Sequence, residues 1–289
     1  LSHLKSDESV IGRDEYDYDG AGNVTLTTEA GGDTIAWSYD ALDRLTGDVR
    51  TGSDAYDKQF VYDPAGNRLV ENVGGALTTS TFDAANQLAS ATASGGTTLY
   101  IFDASGNQQL VQAPGGALTT SVWDYENQNI QVLLPSGDSV DMAFHAANRR
   151  VAKTSAAGDK VFLWSSVTDN IIQDLSPTGS GLVANSFLPG TYGELIKQDD
   201  GQSSFFLFDR RGSTMAITSA AQVIADTFRF DGYGNLVART GSSLAPYQFQ
   251  GAWGYFLDGE LGSEYIRRRN YLPVIGRWSS RDPLGLADN

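Results

Sequence analysis

The chain of 289 residues has no cysteine. That excludes a disulfide framework, a cysteine nucleophile and a thiolate metal site. Histidine is almost as scarce, with only His3 and His145. Two histidines argue against a His-based triad or a zinc cage. Positive charge is also short: 20 Lys and Arg stand against 35 Asp and Glu, a net charge of −15. So acidic a chain repels phosphate backbones and anionic membranes, so nucleic acid is not an expected partner. No stretch approaches the ~20 apolar residues of a membrane helix. There is no G-x-S-x-G elbow and no phosphate-cradling glycine loop. No cofactor and no metal site is expected. "DYDGAGN" at 17–23 opens like a calcium loop, but no Glu follows at the required place.

What the chain does have is glycine, 32 residues, and 31 Tyr, Phe and Trp. Aromatics together with Gly, Thr, Ser and Asn mark an all-β chain with many tight turns. The aromatics also recur. "YDYDGAGN", "SYDALDRL", "VYDPAGNRL", "TFDAANQL", "IFDASGNQQL" and "VWDYENQNI" follow one another, and "AFHAANRRV" keeps the frame with His145 in the Asp position. Their anchors are Tyr18, Tyr39, Tyr62, Phe82, Phe102, Trp123 and Phe144, separated by 21, 23, 20, 20, 21 and 21 residues. Trp164, Phe187, Phe208 and Phe230 continue the series, which makes eleven units. A fixed period of this length is the signature of a repeat architecture.

Each unit reads as a hairpin. A run such as "TTLYIFD" is β-branched and aromatic, hence a strand. The Asp ends it and accepts hydrogen bonds from backbone N–H groups just ahead. The Gly supplies a positive φ, and "RLV" or "NLV" starts the return strand. A second turn, such as "GGAL" at 74–77, resets the period. The Asp and Asn residues are therefore assigned to turns rather than to catalysis. About 22 strands at ~4.8 Å spacing would make a ribbon ~100 Å wide, which has to curl, with open edges at both ends.

After residue 250 the grammar changes, to "FQGAWGYFLDGELGSEYIRRRNYLPVIGRWSSRDPLGL". The repeats resemble the YD repeats of the Rhs family, which includes toxin-complex C proteins and teneurins. The tail resembles the core that closes Rhs repeat regions, with "RNYLP", "GRW" and "DPLGL" in the places of its three motifs. The resemblance implies an all-β antiparallel hairpin ribbon over residues 1–250, spiralling into a shell. A closing core or plug would occupy 251–289. It further implies a secreted or cell-surface protein that encapsulates or scaffolds, with its own upstream repeats or a C-terminal cargo as partner. The chain begins with Leu and is expected to be a piece of a longer precursor.

In that family the core acts as an aspartyl-type autoprotease that releases a C-terminal toxin. Carried over by position, Asp282 would be one catalytic carboxylate, Arg269 its supporting charge, and Leu286–Ala287 the scissile bond. The family's other Asp, however, is Leu272 here. Aspartyl chemistry needs two carboxylates sharing a proton. Two readings therefore stay open: a self-cleaving tail, or a structural plug in which Pro273, Pro283, Gly276 and Gly285 shape turns and Trp278 fills the core. A third is a filament or adhesion scaffold whose copies pair through open sheet edges. "IRRRN" at 266–270 is expected to pair with carboxylates. "FFLF" at 205–208, apolar on both faces, suits burial between array and tail.

Overall fold

A computed structural model describes residues 1–190 and 192–282. Among these the chain is almost entirely β, with no α-helix. Twenty-three strands run from Ser2 to Thr240, and four short ones follow between Phe256 and Trp278. The chain forms two compact units. The first comprises Leu1–Ile101 with Val111–Ala117. The second comprises Phe102–Leu110 with the chain from Leu118 onward.

In each unit, strands adjacent in sequence pair antiparallel. In the first, Val10–Tyr18 pairs with Val24–Glu29, Thr34–Tyr39 with Leu45–Thr51, and Tyr56–Tyr62 with Arg68–Val73. In the second the ladder runs the same way from Leu118–Trp123 to Leu236–Thr240. The predicted hairpin frame is the observed one, and the extra strand, Ser2–Leu4, lies on the edge beside Val10–Tyr18.

The turn chemistry repeats with little change. Asp63 donates its N–H to the Asn67 carbonyl, and its carbonyl accepts from Gly66 N–H. Its carboxylate accepts from the backbone and the side chain of Asn67. The same pattern recurs at Asp19, Asp103 and Asp231. At the fourth position φ is positive: Gly22, Asp43, Gly66, Asn86, Gly106, Asn127 and Asn148 all lie there. This is a type I turn closed by a left-handed residue, a position that favours Gly, Asn or Asp. His145 fits the frame because its Nδ1 accepts from Ala147 N–H at 2.8 Å, as an Asp oxygen would. Side-chain hydrogen bonds from the residue four along hold the carboxyls of Asp19, Asp40 and Asp63 below their usual range.

Two devices join one repeat to the next. The strand register slips by one residue at the anchor aromatic, for example at Tyr39, Tyr62, Trp123 and Trp164. Such a bulge turns the ring over the preceding strand. Tyr39 and Tyr62 then donate to the carbonyls of Val24 (3.0 Å) and Leu45 (2.5 Å), and Trp123 and Trp164 to those of Gln108 (2.9 Å) and Arg150 (2.8 Å). The second device is a polar ladder along the turns. The residue that closes one turn reaches the next: Asn23 to Asp43, Arg44 to the Asp63 carbonyl and Asn67 to Asn86. In the second unit Asn107 reaches Asn127, Gln128 reaches Asn148 and Arg149 reaches Asp169. Asn67 and Asn107 are buried while doing so, and each of those buried polar groups is thus satisfied.

The cores differ. In the first unit the buried apolar side chains are Ile35, Phe60 and Leu88, beside the buried polar Asp14, Thr27, Asp48, Arg50 and Asn67. Arg50 lies in a fork of Glu29 (2.7 and 2.9 Å) and Asp33 (3.0 Å). The second unit has a continuous aromatic core built from Phe162, Phe206, Phe208, Phe228, Phe230, Tyr247, Phe249, Phe256 and Tyr265. Phe206 and Phe208 of the "FFLF" run stack on each other within it, while Phe205 and Leu207 are half-buried.

Candidate functional site

Residues from 245 onward complete that second core. Residues 245–249 enter first, and Tyr247, Phe249 and Ala245 are all buried. A one-turn 3-10 helix, Gly251–Trp253, lies between the left-handed Gln250 and Gly254. A four-stranded antiparallel sheet follows: Phe256–Asp258, Ser263–Ile266, Arg269–Leu272 and Arg277–Trp278. Gly276 N–H closes the turn after Leu272 at 2.8 Å. Its φ is +64°, and a Cβ there would lie 2.6 Å from the Tyr233 ring. Only glycine fits this site.

The tail is tied to the array by a buried charge cluster. Arg150, fully buried, pairs with Asp258 at 2.5 and 3.3 Å. Its guanidinium lies 4.0 Å from the centre of the Tyr265 ring, with Phe162 at 5.1 Å and Phe256 at 5.6 Å. Lys153 shares Asp258 at 3.3 Å and also binds Glu260. Lys153 and Lys160 face each other across neighbouring strands, a pairing of like charges that acidic partners must offset. Asp174 serves Lys160 at 3.2 Å, and Asp258 with Glu260 serves Lys153. Burial raises the Asp174 carboxyl above its ordinary range, and the Lys160 ammonium opposes that in part. Burial also pushes Glu264 well above its ordinary value, with the Asp258 carboxylate adding to the effect. The Tyr265 hydroxyl is raised to about 12, again by burial.

Arg267 carries the hairpin of "IRRRN" in a left-handed conformation, φ 52°. It donates to the Asp169 carbonyl (3.0 Å), to Asn170 Oδ1 (2.9 Å) and to the Trp253 carbonyl (3.0 Å). It also stacks on Tyr192. Two arginines of this run meet carboxylates, Arg267 at Asp169 and Arg269 at Asp282, whereas Arg268 is exposed.

The last hairpin of the tail reaches two distant turns of this unit. Tyr271 donates to the Tyr233 carbonyl at 2.9 Å, and Asn235 donates to the Pro273 carbonyl at 3.3 Å. Just past the neighbouring strand, the Ser279 carbonyl accepts from Gln108 N–H at 2.8 Å. The Arg281 side chain fills the space beside Gly106. Turns 103–107 and 231–235 are thereby fastened to one two-stranded segment.

The expected site residues are only partly brought together. Arg269 binds Asp282 at 2.8 Å and stacks 4.1 Å from the Trp278 ring centre. Asp282 is about two-fifths exposed. Leu272 lies on the strand opposite Arg277. Leu286 and Ala287 lie outside the described residues. Asp258, a carboxylate of the tail, is committed to Arg150 and Lys153. The pair Arg269–Asp282 holds one carboxylate beside a cation, which positions charge but is half of an aspartyl dyad. Among the described residues no group of three or more His, Cys, Asp or Glu could hold a metal ion, and no helix is long and apolar enough to cross a membrane.

The charge cluster was not anticipated. Its trace in the sequence is "RRVAK" at 149–153, a second basic run in an acidic chain, and "DGE" at 258–260. Nothing local links the two segments.

Comparison with known proteins follows the same lines. The RHS Repeat family model matches residues 18–55. The tRNA3(Ser)-specific nuclease WapA of Bacillus spizizenii is 22% identical over 276 residues, 93% of this chain and 10% of that protein. The crystal structure of TcdB2-TccC3-TEV aligns with 97% of this chain and 18% of its own, at 17% identity and a TM-score of 0.46. A Photorhabdus luminescens Tc holotoxin pore aligns with 100% and 20%, at 16% identity and a TM-score of 0.45. The chain thus spans about a tenth to a fifth of these longer proteins. An RHS repeat is thus matched at residues 18–55, and the same aromatic–Asp turn recurs along the chain as far as Asp231.

Proposed function

We propose that the chain is a structural segment of an RHS-type shell, belonging to a secreted or cell-surface protein longer than itself. Residues 1–250 form the repeat wall and 251–289 the core that closes it, and the work of the assembly is to enclose or scaffold a C-terminal cargo. One observation carries this reading: the hairpin of Tyr271 and Ser279 fastens turns 231–235 and 103–107, six repeats apart, to a single segment. A wall curled and locked in this way is suited to enclosing, and the buried Arg150–Asp258 pair favours a tail that stays docked.

The Arg269–Asp282 pair favours a second reading, in which the tail cuts itself after Leu286. One measurement separates the two: the intact mass of the precursor, wild type and Asp282→Ala. The structural reading expects both to remain whole. A wild-type cut after Leu286 that is absent from the variant would overturn it in favour of self-cleavage.

A further inference from the structure

Charge is distributed unevenly along the repeats. Between residues 72 and 123 the only charged side chains are Asp83 and Asp103, although 19% of the whole chain is charged. Asp83 is consumed by its own turn, accepting from the N–H groups of Ala85 and Gln87. The strands of this band in the first unit are Arg68–Val73, Ala76–Phe82, Leu88–Ala93 and Gly96–Phe102. Their residues alternate, as a sheet requires. One face carries the anchor Phe82, which is half-buried.

The opposite face is open and uncharged. Its central row runs Val70, Thr79, Thr92 and Thr97 across four strands, and Val61 extends it on the neighbouring strand Tyr56–Tyr62. A second row pairs Thr81, Ser90 and Leu99. The hydroxyls are already paired with each other, Thr81 with Ser90 at 2.7 Å and Thr92 with Thr97 at 2.9 Å. In each pair one hydroxyl donates to the other, and the threonine methyl groups share the face. Val61, Leu77, Leu99 and Ile101 are 43–55% exposed on this face. Asp57 marks its border on the strand Tyr56–Tyr62.

We propose that this face is a docking surface for a second copy of the chain, packed sheet on sheet. Two chains of charge −15 repel each other over most of their surfaces. They meet without that penalty where charge is missing. Five strands at ~4.8 Å and about seven residues at ~3.3 Å give a patch of about 550 Å². Two such patches bury about 1,100 Å², just past the ~1,000 Å² that a specific interface needs. The dimer is accordingly weak and reversible, at the low end of the interface size range. It differs from pairing through open edges, because it uses side chains and leaves the edge strand Ser2–Leu4 free.

Sedimentation velocity of the 289-residue chain over a concentration series tests this. The expected result is a monomer–dimer equilibrium that tightens as salt is raised, since salt screens the mutual repulsion. The double variant Leu77→Glu, Leu99→Glu should weaken it at least tenfold, whereas Ile196→Glu, also exposed but in the second unit, should leave it unchanged. Hydroxyl-radical footprinting of the wild type needs no variant: Leu77 and Leu99 should be protected in concentrated but not in dilute solution. A chain that stays monomeric at high concentration and high salt overturns the proposal. So does a dimer that ignores the double variant but is lost on Leu4→Pro, which would mark edge pairing.

Discussion

The two units use one repeat grammar and are held together differently. The first relies on its turns, its polar ladder and the Arg50 fork, with three buried apolar side chains among them. The second keeps the ladder and adds an aromatic core built on its repeat strands and completed by residues 245–265. Hydrogen bonds contribute ~1 kcal/mol each, and a buried aromatic side chain contributes several-fold more when its truncation is the measure. Repeats alone suffice for the ribbon, and the tail decides how firmly the second unit is fixed.

Breaking the charge cluster should have the largest effect. Arg150→Met strands Asp258 in a buried site with Lys153 as its remaining partner. Removing one member of a buried pair costs about 3–5 kcal/mol. Amide exchange read by mass spectrometry should show faster opening of the second unit and unchanged exchange in the first. Adding Asp258→Leu should restore part of the loss, since an apolar pair of similar volume is often neutral. If the first unit opened equally, the division into two separately stabilised units would be wrong.

Next in size are paired glycine substitutions. Gly66 and Gly106 hold equivalent turn positions, at φ +89° and +86°. A β-branched residue there carries strain of about 1–3 kcal/mol. Around Gly66 a Cβ meets nothing within 4 Å, whereas at Gly106 it would lie 2.4 Å from Arg281 Nε. Gly66→Val should lower the midpoint of chemical denaturation by the strain alone. Gly106→Val should lower it further and free Arg281, seen as protease sensitivity near the C-terminus. Equal effects would mean that the tail does not depend on this turn.

These two glycines also show what the sequence could reveal. Their turns were legible because the whole mechanism, an Asp, a left-handed residue and a returning polar residue, lies within five positions. The 20-to-23-residue period then placed each hairpin beside the next. That Asn67 reaches Asn86 was not legible, although the period makes them neighbours, because it depends on a side chain leaning along the ladder. The Arg150–Asp258 pair was further out of reach, since it joins residues 108 apart. The tail's departure at Leu272 was visible at once, and the Arg269–Asp282 contact came from resemblance rather than from any local rule.

A smaller effect is expected from the ladder. Asn67→Ala removes the bonds of its side chain to Asp63 and Asn86. A loss of about 1–2 kcal/mol is expected, measured by urea denaturation. The same change at Asn107 should cost a similar amount, because the ladder is the element common to both units. A much larger cost at Asn107 would assign the ladder a different weight near the tail.

The subtlest contrast is with pH. In the first unit the shifted carboxyls Asp19, Asp40 and Asp63 all move down, held by hydrogen bonds from Asn23, Arg44 and Asn67. A lowered folded-state value gives stability above the unfolded value that is lost as pH falls through the folded one. The second unit adds two carboxyls that move up, Glu264 and Asp174, both chiefly through burial. A raised value works in the opposite sense: the stabilisation is complete below the unfolded value, near 4.5 for Glu264, and is lost as pH rises through the raised one. The Asp258 carboxylate adds to the effect of burial on Glu264, so its ionisation would add a like charge in a dry site. Stability of the second unit should therefore decline on the alkaline side of the ordinary carboxylate range, while these three turn carboxyls of the first unit are already fully ionised there. Glu264→Gln, permanently neutral, should flatten that decline when unfolding is followed by unit-resolved amide exchange across a pH series. An unchanged slope would show that Glu264 is already ionised in the folded tail and does not set the alkaline decline.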